Sequence, residues 1–184
     1  LVVRKLILLG LAFLAVQNVF AEGNKPKLVV GIVVSHFYPE WLDMYGDKLS
    51  ENGLKRLVQQ GLRVNANYNY MYTQTGVDHA SIYTGMLPAE HGIVSRAWYD
   101  RLRRKRQFAT NSERYTEIGE QQADSIKSLA PDYLQTMSLG SAMKMNNPMS
   151  RVYSVAMNGD EAVLSGGSSA DMAIWFSEKT GKWV

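Results

Sequence analysis

The segment KLVVGIVV, from Lys27 to Val34, constrains the fold more than any other part of this chain. Its near-continuous run of aliphatic and β-branched residues is typical of a strand that is buried on both faces in a parallel sheet. Apolar residues at near-helical spacing follow between Leu49 and Val58, and Gly61 is well placed to end that helix. A strand followed directly by a helix is the unit from which α/β folds are built.

The rest of the chain continues this alternation. Residues 62–72, LRVNANYNYMY, alternate apolar with polar or flexible residues and predict a strand with one buried face. Asp78 is a candidate N-cap for the next helix, Gly85 its stop, and Pro88 suits the first turn of another helix. Further predicted elements are a helix beginning near Pro131, a strand at 150–157 and a hairpin around 179–181. The sequence therefore predicts an α/β fold with a mostly parallel sheet flanked by helices.

The first 21 residues are a separate segment. Arg4 and Lys5 precede the apolar run LILLGLAFLAV, and small residues stand before Glu22, which is the pattern of a secretory signal peptide. The run is shorter than the ~20 residues that span a bilayer, so we expect no membrane span in the mature chain, residues 22–184. The pattern predicts an exported protein, either periplasmic or secreted.

Charge and cysteine content narrow the function classes. The formal net charge is only +3, so overall basicity does not indicate a nucleic-acid partner. The basic run RLRRKR, from Arg101 to Arg106, lacks interleaved aromatic residues and is interpreted as a solvated loop, so we expect no specific nucleic-acid binding. Cysteine is absent, and any metal ion would therefore be held by oxygen and nitrogen ligands.

Polar residues follow several predicted strands, at 35–36, 73–78 and 158–161. Sites in open α/β sheets form at the carboxyl ends of the strands. Thr75 stands on a Gly-containing turn before a predicted helix, where helix amides and a bound cation would favour its alkoxide form and make it a nucleophile. Spacing alone favours the simpler interpretation, in which Thr73, Thr75 and Asp78 are turn and capping residues.

A set of longer motifs carries more information than the spacing: KLVVGIVV, ENGLKRLVQQG, NYNYMYTQTG, HASIYTGMLPAEHGI, WYDR and WFSEKTGKW. Together they cover nearly all of the mature chain and resemble the alkaline phosphatase superfamily. In particular, they resemble the secreted, phosphate-irrepressible alkaline phosphatases with a threonine nucleophile, near the type I phosphodiesterase and nucleotide pyrophosphatase branch. On this resemblance, residues 22–184 are the N-terminal part of an alkaline-phosphatase-like domain that is incomplete at its C-terminus.

The resemblance implies a two-zinc hydrolase that acts on phosphate esters. A threonine at the position of Thr75, also a family metal position, attacks phosphorus, and water activated on the second metal releases the phospho-enzyme. Two cations would clamp the attacking and leaving oxygens of this in-line displacement. His79 and His91 belong to family motifs at helix ends and are interpreted as packed structural residues rather than zinc ligands.

One family zinc ligand is replaced in this chain. The aspartate at the end of the first strand corresponds to Ser35, and a neutral hydroxyl is a poorer zinc ligand than a carboxylate. His36 could replace it only if the strand has already ended, because neighbouring side chains of a strand point to opposite faces. Asp78 is a further candidate ligand, at a position where relatives usually have glycine, although a capping role also accounts for it.

The phosphate-binding positions depart from the family pattern as well. The family asparagine after HGI corresponds to Arg96 or to its neighbour Ser95, and Arg96 could still bind an anion through two N–H groups. The lysine and arginine of family monoesterases fall in the segment from Asn158 to Asp160, where neither is present. Asp160 and Glu161 add negative charge, which would repel a phosphate dianion.

Two functions follow from these departures. One is a secreted, metal-dependent phosphoric ester hydrolase with Thr75 as nucleophile and weak or altered activity. The other is a catalytically silent pseudo-phosphatase that serves as a binding or assembly protein. Because the remaining family zinc ligands would lie beyond Val184, we expect the 184-residue chain alone to hydrolyse neither monoesters nor diesters.

The importance of Ser35 can be tested through metal content. Ser35→Asp should raise the zinc content of the full gene product, because a carboxylate restores the charge that a metal ligand supplies. Elemental analysis of the purified protein measures this, with Ser50→Asp as a control outside the predicted site. Unchanged zinc content would show that Ser35 does not occupy a ligand position.

Overall fold

The structure, a computed structural model, describes residues 26–115, 118 and 128–184. The predicted signal peptide, residues 1–21, lies outside the described residues. The chain divides into two compact units, Leu1–Asn65 and Ala66–Val184, and the prediction of a single domain over residues 22–184 stays a prediction. In the described ranges, no helix has both the length and the apolar character needed to cross a membrane.

The described part of the first unit contains three short helical segments: α1 (Glu40–Met44), a 3₁₀ turn (Gly46–Lys48) and α2 (Leu54–Gln60). Helix α2 ends at Gly61 as predicted, and the Gly61 N–H donates to the Leu57 carbonyl at 2.9 Å. Asp43 of α1 accepts two hydrogen bonds from Arg63, at 2.8 and 3.1 Å. This ion pair is solvent-exposed and so contributes little to stability.

The two strands predicted at residues 27–34 and 62–72 are not formed, so these predictions are wrong. The sheets of the described residues do not include either segment. Their apolar side chains are largely exposed, with Ile32 at 74% and Val64 at 71%. A buried strand needs hydrogen-bonded neighbours and side chains packed over its faces, and an apolar pattern alone does not supply them.

The second unit contains most of the secondary structure. Its helices are α3 (Thr75–Thr84), α4 (Pro88–His91), α5 (Leu139–Asn146) and α6 (Gly159–Gly166). Its strands are β1 (Ala97–Asp100), β2 (Lys105–Phe108), β3 (Asn111–Ser112), β4 (Ser128–Leu129), β5 (Tyr153–Ala156), β6 (Met172–Ser177) and β7 (Lys182–Trp183).

These strands form three small sheets in the described residues. Strands β1 and β2 form an antiparallel hairpin, and β3 pairs antiparallel with β4. Strands β5 and β6 pair in parallel, with α6 as the connection between them, which is the β-α-β unit of an α/β fold. Strand β7 adds to β6 as the predicted hairpin, and Gly181 takes the left-handed conformation of its turn (φ 67°).

Glycine and proline signals located two helix boundaries of the second unit correctly. Gly85 ends α3 with φ 69°, a left-handed conformation that glycine adopts without steric cost, and Pro88 begins α4. Two other boundaries differ from the prediction. Asp78 is not the N-cap of its helix, because α3 begins at Thr75 with Gln74 as N-cap.

The helix predicted to begin near Pro131 begins instead at Leu139. Pro131 starts a turn, in which the Leu134 N–H donates to the Pro131 carbonyl at 3.0 Å. Ser138 is the N-cap of α5, and its hydroxyl accepts from the Ser141 N–H at 3.2 Å. A proline at position N1 and a serine N-cap are both helix-start signals, and here the helix begins after the serine N-cap.

The core of the second unit lies between α3 and α6. Its buried side chains are Val77, Ala80, Ile93, Ala109, Val163 and Leu164. Gly76 permits the close approach of these helices, since a Cβ there would stand 3.3 Å from Leu164 Cδ1 and 3.6 Å from Asp160 Cβ. This packing brings Thr75, at the start of α3, beside the start of α6.

Candidate functional site

Thr75 faces a cavity of about 250 Å³ in the second unit. The residues that line it are Gln74, Thr75, Gly76, Arg96, Asn158 and Asp160. Four residues predicted from the sequence, Thr75, Arg96, Asn158 and Asp160, therefore lie around one cavity. They come from the start of α3, the segment before β1 and the start of α6.

Thr75 occupies the first position of a helix of ten residues. The first hydrogen bond of the helix runs from the Asp78 N–H to the Gln74 carbonyl, at 2.8 Å. The N–H groups of Thr75, Gly76 and Val77 precede that bond, and such groups carry the positive end of the helix dipole. An anion or a developing alkoxide at Thr75 is stabilised by this position.

Asp160 connects three parts of the cavity wall. Its Oδ2 accepts from Arg96 Nε at 3.0 Å, and its Oδ1 accepts from the Thr110 hydroxyl. Its N–H donates to the Asn158 side chain at 2.9 Å, so Asn158 is the N-cap of α6. The expected repulsive carboxylate is therefore paired with Arg96, and its side chain is only 16% exposed against 69% for Arg96.

Gln74 is a site residue that sequence reasoning missed. Its Oε1 accepts from the Arg96 N–H at 2.8 Å and from the Ser95 hydroxyl at 3.2 Å, and its Nε2 donates to the Tyr72 hydroxyl at 2.6 Å. Gln74 thus fixes the Arg96 backbone beside Thr75. The available signal was its place next to Thr75 in TQTG, whereas nothing in the sequence connects Thr110 with Asp160.

A larger cavity of about 410 Å³ adjoins the first and shares Arg96, Asn158 and Asp160 with it. Its other lining residues are Phe108, Thr110, Asn111, Leu129, Met157, Gly159, Phe176 and Glu178. The Arg96–Asp160 pair stands at the junction of the two cavities. The smaller cavity is polar around the Thr75 hydroxyl, and the larger one offers apolar side chains.

Ser35 and His36 lie in the first unit, where both are exposed residues of a turn. His36 has φ 56°, so the alternation of side chains along a strand does not apply to this pair. Asp78, the other candidate ligand, accepts from the Tyr70 hydroxyl at 2.9 Å. Burial raises the pKa of that Tyr70 hydroxyl, as does its contact with the Asp78 carboxylate.

The residues implied for zinc binding do not form a zinc site by themselves. Over the described ranges, no three His, Asp or Glu side chains come together in a group that could hold a metal ion. Asp78 and Asp160 already accept hydrogen bonds from neighbouring side chains.

The two motif histidines are packed inside the second unit. His79 Nδ1 lies 2.8 Å from the Ser165 hydroxyl, and His91 Nε2 lies 2.9 Å from the Ser81 hydroxyl. His91 Nδ1 accepts from the Ile93 N–H at 3.1 Å, so its proton resides on Nε2 and points to Ser81. Burial lowers the pKa of both imidazoles.

The family model of type I phosphodiesterases / nucleotide pyrophosphatases matches residues 29–181. The chain belongs to this family. The chain is 32% identical to "Alkaline phosphatase PafA" of Elizabethkingia meningoseptica. The match covers 87% of this chain and 30% of that relative. The resemblance to the alkaline phosphatase superfamily is thereby confirmed.

Solved structures give the same result for the fold. This chain matches the crystal structure of wild-type PafA with a TM-score of 0.79. The match covers 86% of this chain and 31% of the PafA chain. A PafA variant with a threonine, an asparagine, a lysine and an arginine substituted matches with a TM-score of 0.75 at 30% identity, over the same shares of the two chains. The alkaline-phosphatase-like α/β fold is confirmed, and the chain spans about a third of the length of these structures.

His91 provides a pH-dependent test of the packing beneath the site. Because burial lowers its pKa, the folded protein holds neutral His91, while the unfolded chain binds a proton near pH 6.5. The free energy of unfolding should therefore fall as pH decreases below about 6.5, by at most about 1.4 kcal/mol per pH unit for each such histidine.

Urea unfolding between about pH 7.5 and 5.5 measures this slope above the range in which carboxylates titrate. His91→Gln should reduce the slope but not abolish it, because His79 contributes in the same direction. If the slope in His91→Gln equals that of the wild type, the neutral, buried state of His91 is wrong.

Proposed function

We propose that this chain supplies the nucleophile and one wall of the substrate site of a phosphoric ester hydrolase. The observation that carries the proposal is the cavity that places Arg96, Asn158 and Asp160 around the Thr75 hydroxyl. Family membership supports the reaction class, since the family is named for type I phosphodiesterases and nucleotide pyrophosphatases.

The substituted positions of the PafA variant support the assignment of these residues. Counted along the two chains, its threonine, asparagine, lysine and arginine are separated by the same intervals as Thr75, Arg96, Asn158 and Asp160. Only the threonine is retained at the corresponding positions here. The other three are replaced by an arginine, an asparagine and an aspartate, so the hydroxyl is kept while its surroundings change.

In the proposed reaction, Thr75 Oγ1 attacks phosphorus while the bond to the leaving oxygen breaks. The departing alcohol gains the hydroxyl proton overall, and water later releases the phosphoryl group from Thr75. Helix α3 contributes its N-terminal amides to the negative charge that develops at this point. Arg96 Nε donates to Asp160, so we assign its two terminal nitrogens as the donors to a phosphoryl oxygen.

The charge of the Arg96–Asp160 pair supports a monoanionic substrate. Arg96 and Asp160 together have no net charge, whereas a lysine and an arginine at the Asn158 and Asp160 positions would add two positive charges. A phosphate monoester is largely a dianion at neutral pH and a diester is a monoanion, so the lack of those two positive charges weakens binding of the monoester more. We therefore propose diesters as the preferred substrates of this site.

A silent binding protein is the second candidate. It is favoured by the absence, in the part of the chain that the structure describes, of three side chains grouped to hold a metal ion. The two functions differ in one measurable respect. A hydrolase transfers a phosphoryl group to Thr75, and a silent protein does not.

Thr75→Ala should abolish turnover and phosphoryl transfer, because the attacking oxygen is removed. The full gene product, supplied with zinc, is assayed with bis(p-nitrophenyl) phosphate and p-nitrophenyl phosphate. Intact-mass spectrometry after rapid acid quenching detects the phosphoryl group on the protein. Thr73→Ala, an exposed threonine two residues earlier, is the matched control and should retain both signals. If the wild type shows neither turnover nor a trapped phosphoryl group, the silent protein is the correct function.

Asp160→Asn tests the substrate preference. Asparagine can still accept from Thr110 but no longer neutralises Arg96, so the ratio of monoester to diester kcat/KM should rise about tenfold, the change expected from about 1.4 kcal/mol of added attraction. Glu161→Gln removes a neighbouring carboxylate that lines neither cavity, and it should leave the ratio near that of the wild type. An unchanged ratio in Asp160→Asn would refute the charge argument without affecting the role of Thr75.

A further inference from the structure

The β1–β2 hairpin carries a dense group of exposed cations that the proposed reaction does not use. Its tip and second strand contain Arg101, Arg103, Arg104, Lys105 and Arg106, all of them exposed. The hairpin contains one carboxylate, Asp100, and so carries a net charge of +4, which exceeds the formal charge of +3 of the whole chain. The net positive charge of this protein is therefore concentrated on one hairpin, and the rest of the chain has a formal net charge close to zero.

Asp100 organises the turn and neutralises only part of the group. Its Oδ1 accepts from the N–H groups of Leu102 and Arg103, at 2.9 and 3.0 Å. Its other oxygen lies 3.8 Å from Arg103 Nε. Arg104 has φ 50°, the left-handed conformation that closes the turn. The single acidic residue thus holds the tip in a shape that presents its cations to solvent.

Two apolar side chains stand among these cations. Leu102, at the tip, is 97% exposed, and Tyr99 is 62% exposed. Tyr99 lies opposite Arg106 in the strand register and therefore shares a face with it. A leucine side chain exposed to water between arginines gives no hydrophobic stabilisation. It would be stabilised at a surface that has anionic groups above an apolar layer, where the arginines meet the anions and the leucine enters the apolar layer.

The opposite face of the hairpin attaches it to the rest of the second unit. Trp98 packs edge-on against Tyr133 with ring centroids 5.5 Å apart, and Gln107 is buried. The Ala109 N–H donates to the Arg96 carbonyl at 2.9 Å, at the base of the hairpin. One face is therefore anchored, and the other, with Tyr99, Arg106 and the tip, is directed to solvent.

We propose that this hairpin binds the surface of a membrane containing anionic lipids, with Leu102 entering the headgroup region and Tyr99 lying at the interface. The cations provide charge complementarity to the lipid headgroups, and the two apolar side chains distinguish this partner from a dissolved polyanion. The association is peripheral, reversible and weakened by salt, and it requires no membrane-spanning segment.

Vesicle flotation tests the proposal with the full chain. Binding should be strong to vesicles of phosphatidylcholine with phosphatidylglycerol, weak to pure phosphatidylcholine, and reduced at high salt. Since each cation near an anionic surface strengthens binding about fivefold, Arg101→Gln combined with Arg104→Asn should weaken it about 25-fold. Asparagine is chosen at position 104 because it tolerates the left-handed conformation.

Leu102→Ser is the decisive variant, because it preserves every charge and changes a side chain that makes little contact with the fold. It should weaken binding to the anionic vesicles at least about tenfold, the smallest change that burial of a leucine predicts. Arg56→Gln, an exposed arginine on α2, is the control and should change binding less than twofold. Circular dichroism confirms that all variants are folded.

Two outcomes would overturn the proposal. Equal binding to anionic and neutral vesicles would remove the role of the cations. Unchanged vesicle binding in Leu102→Ser, together with equally strong binding of a short DNA duplex by the wild type, would identify the hairpin as a general polyanion-binding surface instead.

Discussion

The arrangement around Thr75 depends on the carboxylate of Asp160. Its two oxygens join Arg96, from the segment before β1, and Thr110, from the segment after β2, to the first turn of α6. The same group therefore orients the cation that faces the cavity and reduces the positive charge available to a substrate.

This dual role shows why a substitution cannot be interpreted from charge alone. Sequence reasoning treats Asp160 as a source of repulsion for phosphate, because an acidic residue replaces a basic one. In the structure, the charge is satisfied within the cavity wall, and Arg96 supplies the partner. Arg96 and Asp160 form an ion pair, so these two side chains together bring no net charge to the cavity wall.

Some of the fold could be predicted because its signals are local. Gly85 and Pro88 mark helix ends through backbone conformations that depend on single residues, and the β6–β7 turn depends on Gly181 in the same way. The strands at 27–34 and 62–72 could not be predicted correctly, because strand formation requires partners and the apolar pattern reports only hydrophobicity. Thr75 could be identified from a sequence motif. Gln74 and Thr110 could not, because their roles depend on contacts that form only when α3, α6 and the hairpin pack together.

The β1–β2 hairpin connects the site with the surface of the second unit. Arg96 lies directly before its first strand and lines both cavities, and Phe108 at the end of its second strand lines the larger one. Arg106 stacks over the Phe108 ring at 5.0 Å, so the cationic face begins beside the cavity wall. The base of the hairpin therefore carries the cation beside Thr75, and its tip carries the cations that face solvent. The ion pair joins a mostly exposed Arg96 to a mostly buried Asp160, so it links the solvent-facing hairpin to the inner wall of the cavity.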